Sequence, residues 1–255
     1  MKLTHGFPDS MYKIQTKYCA GCGHGVIHRL IASVIDEFNL REKTVLVFPV
    51  GCSVWADLYM DVDSVQPPHG RTPAAATGVK RALKDHLVIC YQGDGDMAAI
   101  GTAEMVHAAN RGEKFTTIFV NNAIYGMTGG QMAPTTLIGQ KSKTCPKGRD
   151  ADEAGMGYPI RVSEMLATLD GTRYIARGAV NNAANVRKTR QYIKKAFEAQ
   201  LSGKGFTMVE ILSICPTNWS LDSIASVEWL EKNMIPFFPL GEIKNTLDAD
   251  KAATS

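Results

Sequence analysis

The feature that most constrains the fold is a series of short, mostly apolar runs separated by segments with helical periodicity. Each run predicts a strand buried on both faces, because it lacks the polar and apolar alternation of a half-exposed strand. Strands that alternate with helices predict an α/β fold, with a mostly parallel sheet and helices on both faces. The predicted strands are 45–50, 87–91, 116–120, 174–177 and 206–212, and the predicted helices are 24–37, 73–84, 97–111 and 184–201.

The length of the chain agrees with one such domain. It has 255 residues, 45% of them hydrophobic, which is enough for one substantial core. We therefore expect a single domain over 1–255, with a polar tail at 241–255 that frays or packs on a partner. Residues 123–160 are rich in glycine and proline and show little periodicity, which predicts a long functional or mobile loop.

Charge and hydropathy exclude several classes of function. The formal net charge is only +3, and the chain has no block of Lys and Arg typical of nucleic-acid or anionic-membrane binding. The first residues lack the apolar core of a secretory signal, and no apolar stretch approaches the roughly 20 residues that span a bilayer. We expect a cytoplasmic protein, in which cysteines more often serve metals or catalysis than disulfides.

The sharpest motif is a Gly-Asp-Gly-Asp sequence at residues 93–96, at the end of a predicted strand, with paired asparagines at 121–122 after the next strand. One predicted helix lies between them. A diphosphate held through Mg²⁺ needs hard oxygen ligands and glycines that let the backbone approach. Asp94 can supply a carboxylate, Asn122 a side-chain carbonyl and Ile124 a backbone carbonyl. The free N–H groups at the start of the helix would face the phosphates.

A simpler interpretation of the motif is a strand–turn–helix in which Asp94 or Asp96 caps the helix. A lone Gly-Asp-Gly would favour that interpretation, but asparagines at this spacing favour the cofactor site. The pattern resembles the thiamine diphosphate motif of the thiamine-dependent enzyme superfamily. The resemblance implies that Asp94, Asn122 and the Ile124 carbonyl hold Mg²⁺.

Four of the six cysteines stand where the ligands of a parallel sheet converge. They are Cys19 and Cys22 in a C-x-x-C pair, Cys52 after the first predicted strand and Cys215 after the last. Four thiolates satisfy a structural zinc or a [4Fe–4S] cluster, and ligand identity does not separate the two. Cys90 lies within a predicted strand, so we expect an inert buried thiol. Cys145 lies in a polar loop, and we expect a bystander.

The order of these motifs is similar to that of one family. The C-x-x-C-Gly segment, a Gly-Cys-Ser turn at 51–53, a His-Gly-Arg turn at 69–71, the Gly-Asp-Gly-Asp motif and a late Cys-Pro follow one another. This set resembles the β (thiamine diphosphate-binding) subunits of 2-oxoacid:ferredoxin oxidoreductases, most of all the 2-oxoisovalerate-type members, over residues 17–220. The resemblance implies the diphosphate domain of the thiamine diphosphate-binding fold. It also implies that the four cysteines bind a [4Fe–4S] cluster, which makes zinc the weaker alternative.

The same resemblance predicts a set of cofactor contacts. His69 is placed close to the diphosphate, with a possible catalytic role, although alone it would be an ordinary turn histidine. Met127 is placed on the thiazolium side, although a loop methionine also commonly fills core space. The residues expected at the cofactor are Gly51, Cys52, Ser53, His69, Gly93, Gly95, Asp96, Asn122, Gly126 and Met127.

The function implied by the resemblance is oxidative decarboxylation of a 2-oxoacid. Coenzyme A is the co-substrate that takes up the acyl group, and electrons pass through the cluster to ferredoxin. The motif addresses only the diphosphate end of thiamine, so a partner subunit is expected to supply the pyrimidine domain and its glutamate. The alternatives are a thiamine enzyme without a cluster, which the short chain and the cysteines disfavour, and a zinc-stabilised, non-catalytic module.

Two further expectations concern substrate and docking. Trp55 follows the Gly-Cys-Ser turn with no cation near it in the sequence, which favours a branched-chain or otherwise hydrophobic 2-oxoacid over 2-oxoglutarate or pyruvate. The alternative is that Trp55 merely packs beside the cluster. The predicted helix 184–201 carries a basic run that is expected to be a solvated face. Its second interpretation is a docking patch for acidic ferredoxin or the phosphates of coenzyme A.

Overall fold

A seven-stranded sheet forms the centre of the molecule. The computed structural model describes residues 6–153 and 155–247. The strands, in chain order, are β1 Thr44–Val47, β2 Asp63–Val65, β3 Leu87–Gly93, β4 Thr116–Asn121, β5 Thr172–Ala179, β6 Phe206–Leu212 and β7 Gly241–Asn245. They lie side by side in the order β2-β1-β3-β4-β6-β5-β7. All neighbours are parallel except β5 and β7, which confirms the predicted α/β class with a mostly parallel sheet.

Helices connect the strands and cover the sheet. They are α1 His24–Glu37, α2 Ala56–Tyr59, α3 Thr72–Ala82, α4 Thr102–Asn110, α5 Val162–Ala167, α6 Ala183–Leu201, α7 Pro216–Trp219, α8 Ser223–Trp229 and α9 Ile235–Phe237. No helix of the described residues is both long and apolar enough to span a membrane.

The sheet has a hydrophobic core on each face. Leu87 and Ile89 of β3 pack with residues of α1 and α6, whereas Val88 and Cys90 point to the other side and pack with α3, α4 and α5. Successive side chains of a strand alternate between faces, so a strand covered on both sides must be apolar at every position. This is why the central strands are continuous apolar runs. The burial of Cys90 confirms that it is a core thiol.

The predicted helix 97–111 is interrupted. Asp96–Ile100 forms a wide π-type turn, and the regular helix α4 begins only at Thr102. Gly101 lies at the break, where a Cβ atom would approach the Gly70 carbonyl oxygen to 2.9 Å. The break thus lets the loop that carries His69 pack directly on the backbone after β3.

The chain after residue 240 differs from the expectation of a fraying polar tail. Gly241–Asn245 forms the edge strand β7, which pairs antiparallel with β5, so the prediction is wrong for this part. The strand is short, polar and half-exposed, and therefore shows no clear apolar pattern. The rest of the predicted tail, from 248 to 255, lies outside the described residues.

The long loop after β4 has no helix or strand over its described part, from 123 to 153 and from 155 to 160, as predicted. Buried side chains hold it in place. The Arg149 guanidinium donates to backbone carbonyls of Pro134, Met156 and Tyr158 at 2.8–2.9 Å. Cys145, expected to be a bystander in a polar loop, is only 1% exposed and lies 2.9 Å from the Ser142 hydroxyl. Its place in the loop is therefore structural.

Candidate cofactor site

The predicted site residues follow four neighbouring strands. Cys52 follows β1, Asp94 follows β3, Asn122 follows β4 and Cys215 follows β6. These four strands are adjacent and parallel in the sheet. Their carboxyl ends therefore meet at one edge, where ligands of open α/β sheets bind.

A cleft at this edge contains all the predicted thiamine and magnesium contacts. Its lining includes Gly51, Cys52, Ser53, His69, Gly93, Asp94, Gly95, Asp96, Asn122, Ile124, Gly126 and Met127. The remaining lining residues are His24, Val50, Val120, Tyr125 and Thr128. The three other predicted cluster cysteines, Cys19, Cys22 and Cys215, do not line the cleft.

Asp94 is the buried carboxylate of the cleft. One oxygen accepts a hydrogen bond from Gly95 N at 2.8 Å, and the other accepts from the Thr135 hydroxyl at 2.7 Å and from Ile124 N at 3.2 Å. Asn122 Oδ1 accepts from the same Ile124 N–H, also at 3.2 Å. Burial raises the pKa of Asp94 to about 6, although these hydrogen bonds oppose the shift. A cation would relieve this cost, because it favours the ionised form.

The two asparagines have different roles. Asn121 points into the protein: its amide donates to Glu210 at 2.8 Å, and its oxygen accepts from Ala123 N at 3.1 Å. Ala123 has a left-handed backbone, with φ of 55°. Asn121 therefore stabilises the turn, and the turn presents Asn122 to the cleft.

Asp96 holds the His69 loop. Its carboxylate accepts from Gly70 N and from the Gln92 amide, each at 2.5 Å. His69 Nδ1 also lies 2.5 Å from Asp96 Oδ1. Burial raises the pKa of Asp96, and its hydrogen-bond partners oppose the shift. Since both oxygens are engaged, Asp96 positions His69 in the cleft.

Two glycines allow close packing around the cleft. A Cβ on Gly95 would lie 2.1 Å from the Tyr125 ring, whose hydroxyl donates to Gly95 O at 3.0 Å. A Cβ on Gly126 would lie 3.0 Å from Cys52 Sγ and 3.8 Å from Cys215 Sγ. The cleft wall at Gly126 thus touches the cysteine group directly.

The four cysteines approach one another beside the cleft. Cys22 N donates to Cys19 O at 3.0 Å, which closes the turn of the C-x-x-C pair. Burial, together with the charges of the neighbouring cysteines, raises the pKa of Cys22 to about 11 and of Cys52 to about 12. Within residues 6–153 and 155–247, however, no three His, Cys, Asp or Glu side chains are arranged to hold a single metal ion.

His24 is a cleft residue that sequence reasoning missed. It begins α1, two residues after Cys22, and is only 2% exposed. Its Nδ1 lies 2.5 Å from the Tyr91 hydroxyl, and the Tyr18 ring stacks on it at 4.8 Å. Burial lowers its pKa to about 4. One pattern in the sequence could have identified His24: it is a polar residue at the start of a predicted helix, directly after two candidate cysteine ligands.

Trp55 lies outside the lining of the cleft and next to a cation. Lys17 Nζ lies 5.8 Å from the centre of its ring. Lys17 is distant in sequence and reaches Trp55 only through folding. The interpretation of Trp55 as a packing residue is thus favoured over a role in the substrate pocket.

The basic face of α6 is largely paired within the chain. Arg190 and Lys194 contact Glu37 of α1 at 2.7 and 2.5 Å, and Lys195 contacts Glu242 of β7 at 3.0 Å. These contacts tie α6 to its neighbours. They favour the interpretation of a structural, solvated face over that of a docking patch.

Comparisons with known proteins agree with this geometry. Residues 50–211 match the family described as thiamine pyrophosphate enzyme, C-terminal TPP binding domain. The chain is 47% identical over 251 residues to ketoisovalerate oxidoreductase subunit VorA of Methanothermobacter thermautotrophicus, covering 94% of this chain and 52% of VorA. It is 34% identical over 220 residues to 2-oxoglutarate synthase subunit KorB of Archaeoglobus fulgidus, covering 86% of this chain and 77% of KorB.

A solved structure supports the same relationship. The 2-oxoglutarate:ferredoxin oxidoreductase from Magnetococcus marinus, with 2-oxoglutarate, coenzyme A and succinyl-CoA bound, aligns with a TM-score of 0.74 and 28% identity. The alignment covers 91% of this chain and 74% of that one. The chain spans about half the length of the VorA proteins that it matches. By fold, motif order and these similarities, the chain belongs to the family of 2-oxoacid:ferredoxin oxidoreductase β subunits.

Proposed function

We propose that this chain is the thiamine diphosphate-binding subunit of an enzyme that oxidatively decarboxylates a 2-oxoacid with coenzyme A and passes the electrons through a [4Fe–4S] cluster to ferredoxin. The observation that carries the proposal is a single cleft in which Asp94 and Asn122 face the wall formed by Gly126 and Cys52. Similarity to VorA and KorB subunits supports it.

The diphosphate end of the cleft suits a Mg²⁺-bound cofactor. Asp94, Asn122 and the Ile124 carbonyl would hold the ion, since carboxylate, amide and backbone oxygens are its usual ligands. Gly93 and Gly95 leave room for a diphosphate against the backbone. The raised pKa of Asp94 supports this role, because the buried carboxylate lacks a cationic partner in the hydrogen bonds described above.

Thiamine diphosphate, when bound, would supply a nucleophilic carbon for the 2-oxo carbonyl and a sink for the electrons released when the carbon–carbon bond to the carboxylate breaks. The residues of this chain orient it and limit the access of water. Tyr125 and Met127 line one side of the cleft, and His69 and His24 line it with polar nitrogens. His24 uses Nδ1 toward Tyr91, which leaves Nε2 as the nitrogen for a ligand.

The cysteine group suits a multi-iron cluster better than zinc. Zinc holds four sulfurs at about 2.3 Å from one point. The cysteines are close enough to raise one another's pKa, yet no three of them in the described chain are arranged around a single ion. A cluster, whose ligands bind separate irons, does not need three ligands around one ion. Cys19, Cys22, Cys52 and Cys215 would be its ligands.

The cleft needs a partner subunit. Its lining contains two acids, Asp94 and Asp96, and both are occupied by the contacts described above. No glutamate of the described residues lines it. The carboxylate that activates the aminopyrimidine ring is therefore expected from a partner, and the isolated chain is expected to have no turnover.

The preferred substrate is a branched-chain or otherwise hydrophobic 2-oxoacid. Neither Lys nor Arg of the described residues lines the cleft, whereas a dicarboxylate would need a cation for its second carboxylate. Val50 and Met127 supply apolar surface at the cleft. Higher identity to VorA than to KorB points the same way. The same chemistry on 2-oxoglutarate or pyruvate is the second candidate, favoured only by the KorB similarity.

The test is an anaerobic purification of the native complex, followed by iron, zinc and thiamine analysis and visible spectroscopy. We expect a brown protein whose absorbance bleaches when 2-oxoisovalerate and coenzyme A are added together. Bleaching only with 2-oxoglutarate or pyruvate would overturn the substrate preference and keep the chemistry. A colourless protein that contains zinc would overturn the electron-transfer role.

A matched pair of variants tests the cluster ligands. Cys52→Ala should lose iron and substrate-induced bleaching, whereas Cys90→Ala should keep both and lose only some stability, because Cys90 is a core thiol away from the cleft. Equal iron content in the two variants would contradict the ligand assignment.

A further inference from the structure

Asn218 is a half-buried residue of α7, three positions after Cys215. Its side-chain amide makes two contacts. Nδ2 donates to Cys215 Sγ at 3.4 Å and to the Gly126 carbonyl oxygen at 2.8 Å. An amide carries two N–H groups, so both bonds form together. One side chain therefore joins a cysteine of the proposed cluster to the wall of the cleft.

The sulfur of Cys215 accepts a hydrogen bond from Asn218. The side-chain amide donates to this sulfur at 3.4 Å. Hydrogen bonds of this kind stabilise negative charge on sulfur. Around an iron–sulfur cluster they raise the reduction potential, since the reduced cluster carries more negative charge.

The other contacts of Asn218 fix its position. A Cβ on Gly130 would lie 3.1 Å from Asn218 Oδ1, so the glycine loop closes over the amide. The next residue, Trp219, donates from Nε1 to the Asn122 carbonyl oxygen at 3.1 Å. The α7 turn is thereby attached both to the cysteine group and to the segment that holds the predicted Mg²⁺ ligand.

We propose that Asn218 is a positioning residue that raises the reduction potential of the cluster through its hydrogen bond to Cys215. Its second hydrogen bond, to Gly126, holds this cysteine against the thiamine side of the cleft. The inference rests on the proposed function, because it requires a cluster at Cys215. It goes further by assigning a role to a residue that is neither a ligand nor part of the cleft lining.

The test uses the anaerobically purified native complex with three variants. Asn218→Leu removes the side-chain donor without adding charge, and Asn218→Asp removes it while keeping the shape. Asn245→Asp places the same new charge on β7, at the edge of the sheet beyond β5, and serves as the control. The readouts are iron and sulfide content and the midpoint potential from a redox titration followed by electron paramagnetic resonance.

We expect full iron content in all variants and a lower potential for both Asn218 variants. For Asn218→Leu the midpoint potential should fall by roughly 30 mV, which for a one-electron couple is about a threefold change in the ratio of oxidised to reduced cluster. The fall should be larger for Asn218→Asp. The control should match the unmodified complex. Unchanged potentials in both Asn218 variants with full iron would overturn the inference alone. An unmodified complex without iron would overturn both the inference and the proposed function.

Discussion

The buried pair of Arg177 and Glu210 offers a stringent test of how the site is supported. Both side chains are 1% exposed, and Arg177 Nε donates to Glu210 at 2.7 Å. The other oxygen of Glu210 accepts from Asn121, the residue that shapes the turn before Asn122. The perturbation is a double-mutant cycle with Arg177→Met and Glu210→Gln.

The expected magnitudes follow from burial. Arg177→Met leaves the Glu210 carboxylate buried without its cation, which should cost about 3–5 kcal/mol of the free energy of unfolding. Glu210→Gln keeps the hydrogen bond to Asn121, and Arg177 keeps its second carboxylate, Glu164, at 2.6 Å. That variant should cost about 1–3 kcal/mol. In the Arg177→Met background, however, Glu210→Gln should restore stability, because it removes the unpaired charge.

The assay is urea unfolding followed by circular dichroism at pH 7.5, for the parent, the two single variants and the double variant. The decisive result is a reversal of sign: Glu210→Gln destabilises the parent chain and stabilises Arg177→Met. Additive costs in the two backgrounds would refute the reasoning, since they would mean that Arg177 and Glu210 do not interact.

Two further predictions address the site and the helix packing. Gly95→Ala should weaken thiamine diphosphate binding to the complex at least about tenfold, as measured by calorimetry, because the added methyl group would displace Tyr125 at a cost of about 1–3 kcal/mol. The control is Gly78→Ala in α3, where a Cβ atom would have no other atom within 4 Å. This variant should bind the cofactor normally and should match or exceed the parent in stability. Hydrogen bonds from Lys194 and Arg190 lower the pKa of Glu37. The stabilisation of the folded chain by these bonds is therefore present above about pH 4.5 and is lost as the pH falls through the lowered pKa. Glu37→Gln should therefore lower the unfolding free energy by less than about 1 kcal/mol at pH 7 and by progressively less as the pH falls through the lowered pKa. A loss that does not change with pH would contradict the ion pair.

The elements that the sequence predicts best are those with a long buried apolar surface. The predicted strand 206–212 and helix 24–37 coincide with β6 and α1. Every residue of β6 is buried, and one face of α1 is buried, which leaves a continuous signal in the strand and a periodic one in the helix. The edge strands β2 and β7 were missed because they are short, largely polar and exposed or half-exposed, and such a strand looks like a loop.

The candidate site divides in the same way. That the residues expected at the cofactor line one cleft could be predicted, because parallel strands bring their carboxyl ends together. The separate roles of Asn121 and Asp96 could not be predicted. Asn121 is tied to Glu210, and Asp96 to the loop at Gly70, and both partners lie far away in the sequence. His24 and Asn218 were missed for the same reason, and the contact between Lys17 and Trp55 could not be predicted either.

The amino-acid sequence alone therefore determines the fold class and the kinds of side chain at the strand ends, since both depend on local patterns and on parallel topology. What required folding is the set of partners of each polar side chain. Asn121 turns inward and Asn122 outward, Lys17 reaches Trp55, and Asn218 bridges Cys215 to the cleft. Such contacts join segments that are distant along the chain, and their geometry depends on how the layers pack rather than on any local pattern.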